Sequence, residues 1–204
     1  VRRGIYSRRD YDHQRRGSAV LAAALHDATV LELAEGIAGP YCGKLLASCG
    51  AEVIKVEPAA AGDRARSAGP FPDDIPHSEK SGLFLYLNVN KKGITLNLHT
   101  ETGRKLLRQL VQQTDVLIES FTPGTLDTLG LGYGDLEKLN SRLVMVSITP
   151  FGQAGPYRTY QAADIVAQAV GGWLYAGGTP DREPLKVGGS VAEYSTDWSP
   201  PSPV

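Results

Sequence analysis

The sequence predicts an α/β protein built on a Rossmann-like, mostly parallel sheet flanked by helices. Three observations carry that prediction. Short apolar runs of strand length alternate with segments of helical period along most of the chain. A strand, a glycine-bearing loop, a helix and a second strand fit within fewer than thirty residues, from Thr29 to Glu57. That is a βαβ unit, which implies parallel pairing. The same order then recurs downstream, and such alternation places helices against a parallel sheet.

Residues 29–33, TVLEL, read as a buried strand. AEGIAGPY follows as a loop holding Gly36, Gly39 and Pro40, and YCGKLLASCG as a helix that Gly50 stops. AEVIKVE is the second strand, closing at Glu57. Segment 58–82 is long, polar and rich in Gly and Pro, which marks a functional or mobile loop. GITLNL (93–98) is a strand, and TETGRKLLRQLVQQT an amphipathic helix with Leu106, Leu107, Leu110 and Val111 on one face. DVLIES is the next strand. Thr122 and Pro123 suit the N-cap and first position of a short helix. DLEKLN is another short helix, RLVMVSIT another strand, and ADIVAQAVGGWLY a helix that Gly171 and Gly172 weaken or end.

Composition bounds the function. The 204 residues suffice for one domain of typical size or slightly more. The 42% hydrophobic and 21% charged content is that of a soluble globular protein, and a net charge of −1 gives no overall field for nucleic acid or an anionic membrane. No apolar run reaches the roughly 18 residues of a membrane span. Cys42 and Cys49, seven apart on one helix, read as buried reduced thiols. No further Cys and no nearby His is available to build a metal site, and a reducing cytoplasm fits. The first sixteen residues hold six Arg against two Asp. Residues 1–27 therefore read as a disordered basic tail, as added upstream sequence, or as a targeting segment.

Four features could carry chemistry. GIAGPYCG lies where a parallel sheet binds ligands, but it is not GxGxxG; a turn that binds nothing is equally compatible with it. Glu57, at a strand end, could hold a ribose. Arg64, Arg66, Lys91 and Lys92 suit a phosphorylated ligand, although a solvated charged surface is the more usual reading of such residues. Phe121 in ESFTPG could stack on a base or plug the core edge. Asp164, inside an apolar helix, is either buried and paired or set at a helix N-terminus, and Glu193 follows a Gly-rich turn; for both carboxylates a structural role is the default.

Taken together and in order, VLELAEGIAGPYCGKLLASCGAEVIKVEP, GDRAR, NVNKKGITLNLHTETGRKLL, DVLIESFTPGTLDTLGLGYGDLEKLN, RLVMVSITPFGQAGPY and ADIVAQAVGG resemble the class III CoA-transferases. That family includes formyl-CoA transferase, carnitine CoA-transferase and α-methylacyl-CoA racemase. The resemblance runs from about Ala28 to Tyr194 and covers the N-terminal part of the family's large domain, 28–194. It implies an interlaced homodimer with CoA lying along the strand ends. It places CoA contacts at Ile37, Ala38, Pro58, Leu96, Asn97, Leu98, His99, Ser120, Phe121, Thr122, Thr128 and Gln161 to Asp164, with Arg66 and Lys91 near the nucleotide end.

The same resemblance sets Glu193 at the nucleophilic aspartate's position, about thirty residues beyond Asp164, and Asp164 as a second catalytic-site carboxylate. The implied activity moves CoA from an acyl-CoA to a carboxylic acid through an enzyme carboxylate, with CoA thioesters as substrates and no tightly bound cofactor or metal. Pro58 and Thr128 stand where formyl-CoA transferase has arginines, and Ile37 where it has a glutamine, which argues against formyl or oxalyl specificity. Ala163 replaces the racemase histidine, which argues against racemisation. The end, 195–204, reads as an aberrant Pro/Ser-rich stretch after truncation or frameshift. The alternatives are a non-catalytic remnant that at most binds CoA and an NAD-binding module, the latter opposed by the missing GxGxxG.

Overall fold

A computed structural model describes residues 24–179 and 181–195. Its centre is a five-stranded, wholly parallel sheet in the order β3-β2-β1-β4-β5. The strands are β1 (Thr29–Glu32), β2 (Glu52–Pro58), β3 (Lys91–Leu96), β4 (Val116–Glu119) and β5 (Val144–Ser147). The helices are α1 (Ala38–Ser48), α2 (Gly82–Leu87), α3 (Glu101–Val111), α4 (Thr125–Thr128), α5 (Tyr133–Leu136), α6 (Asp164–Val170), α7 (Trp173–Ala176) and α8 (Val191–Ser195).

Side chains alternate across a strand, so neighbours in β1 feed two cores. Val30 joins Ala47, Ala51, Val53 and Ile118 on the face covered by α1. Leu31 joins Leu107, Val111, Leu117 and Leu136 on the face covered by α3 and α5. Of the four α3 residues expected on one face, Leu107 and Val111 are fully buried, whereas Leu106 stays 43% exposed. Thr100 caps α3, its Oγ accepting from Gly103 N at 3.1 Å.

Several local expectations are corrected. Helix α1 starts at Ala38, inside the expected glycine loop, because Pro40 falls in its first turn, where a missing N–H costs nothing. Cys42 and Cys49 are half-buried rather than buried, since Cys49 is the helix C-cap and no longer shares a face. Segment 58–82 is not simply a loop: it holds 3₁₀ turns at Arg64–Ser67 and Pro72–Asp74 and leads into α2. Ser81, fully buried, caps α2 by accepting from Phe84 N and donates to Ala65 O.

Thr122 and Pro123 lie in a turn ahead of α4, whose N-cap is Gly124 at φ 87°, a conformation that suits glycine. The expected tail boundary also moves: Ala24–Asp27 form a turn, and Leu25 N donates to Cys49 O at 3.0 Å. The remainder of the expected tail and residues 196–204 of the expected Pro/Ser-rich end lie outside the described residues. Gly172, at φ 80°, separates α6 from α7.

Candidate active site

Strand order locates the site. The order of successive strands reverses between β1 and β4, the switch point at which open parallel sheets bind ligands beyond the strand ends. A cavity of about 610 Å³ opens there. Its walls come from Leu33, Glu35 and Ala38 after β1, Ser120–Pro123 after β4, Ile148–Pro150 after β5, the segment 158–164, and Ala192 and Glu193 of α8.

The loop after β1 rests on buried charge. Glu32 is fully buried, and its two oxygens take Lys55 Nζ at 3.0 Å and Lys91 Nζ at 2.7 Å. Lys55 Nζ also bonds Ala34 O at 2.9 Å and lies 2.7 Å from Asp63 Oδ2. Lys91 Nζ reaches Pro40 O and Asn88 Oδ1. Burial pushes the Lys91 ammonium down to about 8, although Glu32 opposes that shift. Asp63 Oδ1 then holds the loop directly, accepting from Gly36 N at 3.0 Å and from Ala65 N at 2.8 Å. Buried charges are tolerated only when paired in this way.

Glu193 enters the cavity from α8. Asp164, the first residue of α6 and itself buried, reaches across: its Oδ1 accepts from Ala192 N at 2.9 Å and Glu193 N at 3.3 Å. It thus supplies from a distance what an N-cap side chain supplies locally. Gln168 Nε2 at 2.6 Å and Lys186 Nζ at 3.0 Å hold its other oxygen. Burial opposes ionisation of Asp164, but Lys186 and these hydrogen bonds outweigh it and keep the carboxyl below the usual aspartate range. Tyr194 packs edge-on against Tyr41 of α1, ring centroids 5.0 Å apart, so α8 is docked on the helix that follows β1. Burial pushes the Glu193 carboxyl above the usual glutamate range; Arg64 opposes that shift, Asp164 reinforces it and Lys186 opposes it.

Of the residues expected at the site, Ala38, Ser120, Phe121, Thr122, Gln161, Asp164 and Glu193 line this one cavity. Ile37 is the buried N-cap of α1 beside it. Pro58 and Leu96 end β2 and β3, where they pair, and Asn97, Leu98 and His99 continue from there along the same edge. Thr128 lies at the end of α4, its Oγ donating to Thr125 O.

Arg66 and Lys91 do not line the cavity. Arg66 bonds Glu57 bidentately, at 2.7 and 2.8 Å, and stacks on Phe84, while Lys91 points inward to Glu32. Glu57, read as a possible ribose partner, is taken by Arg66 and by Asp63 N. Glu35, Lys55, Glu32 and Asp63 were not singled out from the sequence. The available signal was charge inside apolar strands, since a strand of a covered parallel sheet keeps a Glu or Lys only if it is paired.

The fold and the site define an α/β protein with a cavity at the sheet's switch point and a half-buried carboxyl lining it. The chain belongs to CoA-transferase family III, whose model matches residues 25–197. It is 43% identical over 171 residues to the succinyl-CoA–D-citramalate CoA-transferase of Chloroflexus aurantiacus, covering 83% of this chain and 41% of that one. It is 40% identical over 161 residues to the acetyl-CoA:oxalate CoA-transferase of Acetobacter aceti, covering 79% and 40%. Among solved structures, a CAIB/BAIF family protein from Brucella suis superposes with a TM-score of 0.76 at 40% identity, covering 84% of this chain and 45% of that one. The chain thus spans less than half the length of the relatives it matches. No helix among the described residues is long and apolar enough to cross a membrane.

Proposed function

We propose that this chain carries the nucleophile and part of the CoA site of a CoA-transferase that moves CoA from an acyl-CoA to a carboxylic acid. The observation that carries the reading is the position of Glu193: its half-buried carboxyl shares one cavity with Ser120–Thr122 and Gln161, positions at which the family resemblance places CoA. The remaining expected contacts follow the same edge of the sheet, at the ends of β2 and β3. A CoA thioester set there runs its nucleotide across the strand ends and its acyl group toward α8.

The chemistry follows from the carboxylate. Glu193 attacks the thioester carbonyl, the C–S bond breaks, and CoA leaves as thiolate from a mixed anhydride. The thiolate attacks the glutamyl carbonyl, releasing the donor acid as its carboxylate and leaving Glu193 as a CoA thioester. An acceptor carboxylate reverses both steps, takes the CoA and frees Glu193. No net proton is transferred, so the site needs no general acid; it needs an ionised, fixed carboxylate and little water. Asp164 fixes the backbone of Glu193. The aspartate that the family resemblance implies at this position has one methylene fewer, a difference in reach of about 1.5 Å, and a misplacement of about 1 Å can cost on the order of a hundredfold. The docking of α8 through Tyr41 and Tyr194 sets that reach here.

The test is chemical trapping. Acyl-CoA followed by hydroxylamine should convert Glu193 to a hydroxamate, visible by peptide mass, and E193Q should give none. Retention of CoA by the protein without any modification of Glu193 would reduce the reading to a CoA-binding fragment.

A further inference from the structure

The cavity is lined by two arginines, Arg64 and Arg158, for which the transfer steps above have no use. Arg64 lines it together with Glu35 and Glu193. Among the described residues no carboxylate lies within ion-pair distance of its guanidinium, although Arg66, two residues on, is paired with both Glu57 and Glu79. Resting on the reading of Glu193 as the reacting carboxyl, we propose that Arg64 is a specificity residue: it holds the second carboxylate of a dicarboxylic acyl group whose thioester end faces Glu193.

The position of Arg64 is built, not incidental. It opens the 3₁₀ turn that Asp63 caps, and Asp63 is fully buried and lies against Lys55, so the backbone beneath Arg64 is anchored in the charged core. Its guanidinium lies over Gly36, where an added Cβ would fall on it. Gly36 is at φ 83°, and its N–H is tied to Asp63. Loop and arginine are therefore fixed to each other by one aspartate, and among the described residues the planar donor fork has no carboxylate partner. Such a fork matches a carboxylate bidentately, which a lysine ammonium cannot do.

The acyl side of the site is the side Arg64 serves. Arg64 lines the same cavity as Glu193, and its charge favours the ionised form of that carboxyl. An anion held by Arg64 is thus held in the cavity that contains the reacting carboxyl. The covalent cycle makes the need sharper. In the anhydride and in the enzyme thioester Glu193 has lost its charge, so Arg64 loses that compensation when the acyl group is present. A distal carboxylate on the substrate restores it; a methyl group does not.

The experiment compares succinyl-CoA and glutaryl-CoA with butyryl-CoA and valeryl-CoA, the same chains with methyl in place of the distal carboxylate. Binding is measured by calorimetry in the E193Q background, so that no thioester is consumed. The expected preference for the carboxylated member of each pair is about tenfold or more, the range of a charge-assisted hydrogen bond. In R64M that gap closes while butyryl-CoA binds as before, and R64K keeps part of it. Equal binding of both members with Arg64 in place, or a parallel loss for both in R64M, as expected if Arg64 gripped the CoA phosphates, overturns the proposal. Labelling of Glu193 in the parent chain separates the two claims. An Arg64-dependent preference without any labelling sinks the transfer chemistry and leaves the anion site; labelling without the preference does the reverse.

Discussion

In the proposed reaction a single carboxyl, that of Glu193, carries the chemistry, and its environment sets its pH dependence. Burial raises its affinity for a proton, and Asp164 adds to the effect. The proposed nucleophile is the ionised form, so the labelling rate should fall as pH drops through this raised value, at higher pH than for a solvated glutamate. Asp164→Asn keeps an oxygen acceptor for Ala192 N and Glu193 N but removes the negative charge. The acid limb of the pH–labelling profile should therefore move to lower pH; an unmoved or raised limb would show that the charge of Asp164 does not reach Glu193. The same shift has a stability consequence. The folded value lies above the unfolded one, so stability is lost as pH rises through the folded value. E193Q should consequently gain on the parent chain in urea titrations at pH 7 and lose that advantage near pH 4. Little of this was legible in the sequence. Glu193 and Asp164 are 29 residues apart, and only the fold brings the acceptor of one to the N–H of the other.

At the scale of elements, two attachments hold the site together, and they differ in how visible they were. The strands were readable because each is a short apolar run, and β1, β2 and β4 fall within a residue or so of expectation. The charged floor was not, because Lys55 and Glu32 are 23 residues apart and Lys91 and Glu32 are 59 apart, and pairing at such separations leaves no periodic trace. Lys55→Met leaves Glu32 and Asp63 buried without their shared cation, which by the usual cost of breaking a buried pair lowers unfolding free energy by about 3–5 kcal/mol. Chemical denaturation checks this, and a loss under about 1 kcal/mol would mean the network contributes little. The second attachment is α8 on α1. Removing one ring of an edge-to-face pair costs roughly 0.5–1.5 kcal/mol beyond area burial. Tyr194→Ala should therefore change stability modestly but slow Glu193 labelling more than tenfold, since it frees the element that aims the carboxyl. Equal, small effects on both would make Tyr194 packing alone.

At the scale of the whole molecule, the order β3-β2-β1-β4-β5 is what makes a site possible, because it opens the crevice between the ends of β1 and β4. The α/β class and the parallel sheet were legible from the alternation of strand and helix, and the family from the ordered motifs. What composition and periodicity alone did not supply was convergence. Leu33–Ala38, Ser120–Pro123 and Glu193 come from three distant parts of the chain and meet only after the sheet forms. Hydrogen exchange tests that convergence: CoA should slow exchange at residues 33–39 and 120–122 and leave the opposite strand ends, near Ala51 and Asp115, unchanged. Uniform slowing across the sheet would indicate general stabilisation and not a site at the switch point.

The most direct measurement follows one oxygen. With an acyl-CoA donor and an acceptor acid labelled with oxygen-18 in its carboxylate, the acceptor oxygen becomes the bridge of the second anhydride. Attack of thiolate on the acceptor acyl carbon then leaves that oxygen on the enzyme. The account predicts one labelled oxygen in the side chain of Glu193 after a single turnover, and a second as turnover continues, read by mass spectrometry of its peptide. New acyl-CoA formed with Glu193 unlabelled, or with the label on another residue, would contradict it.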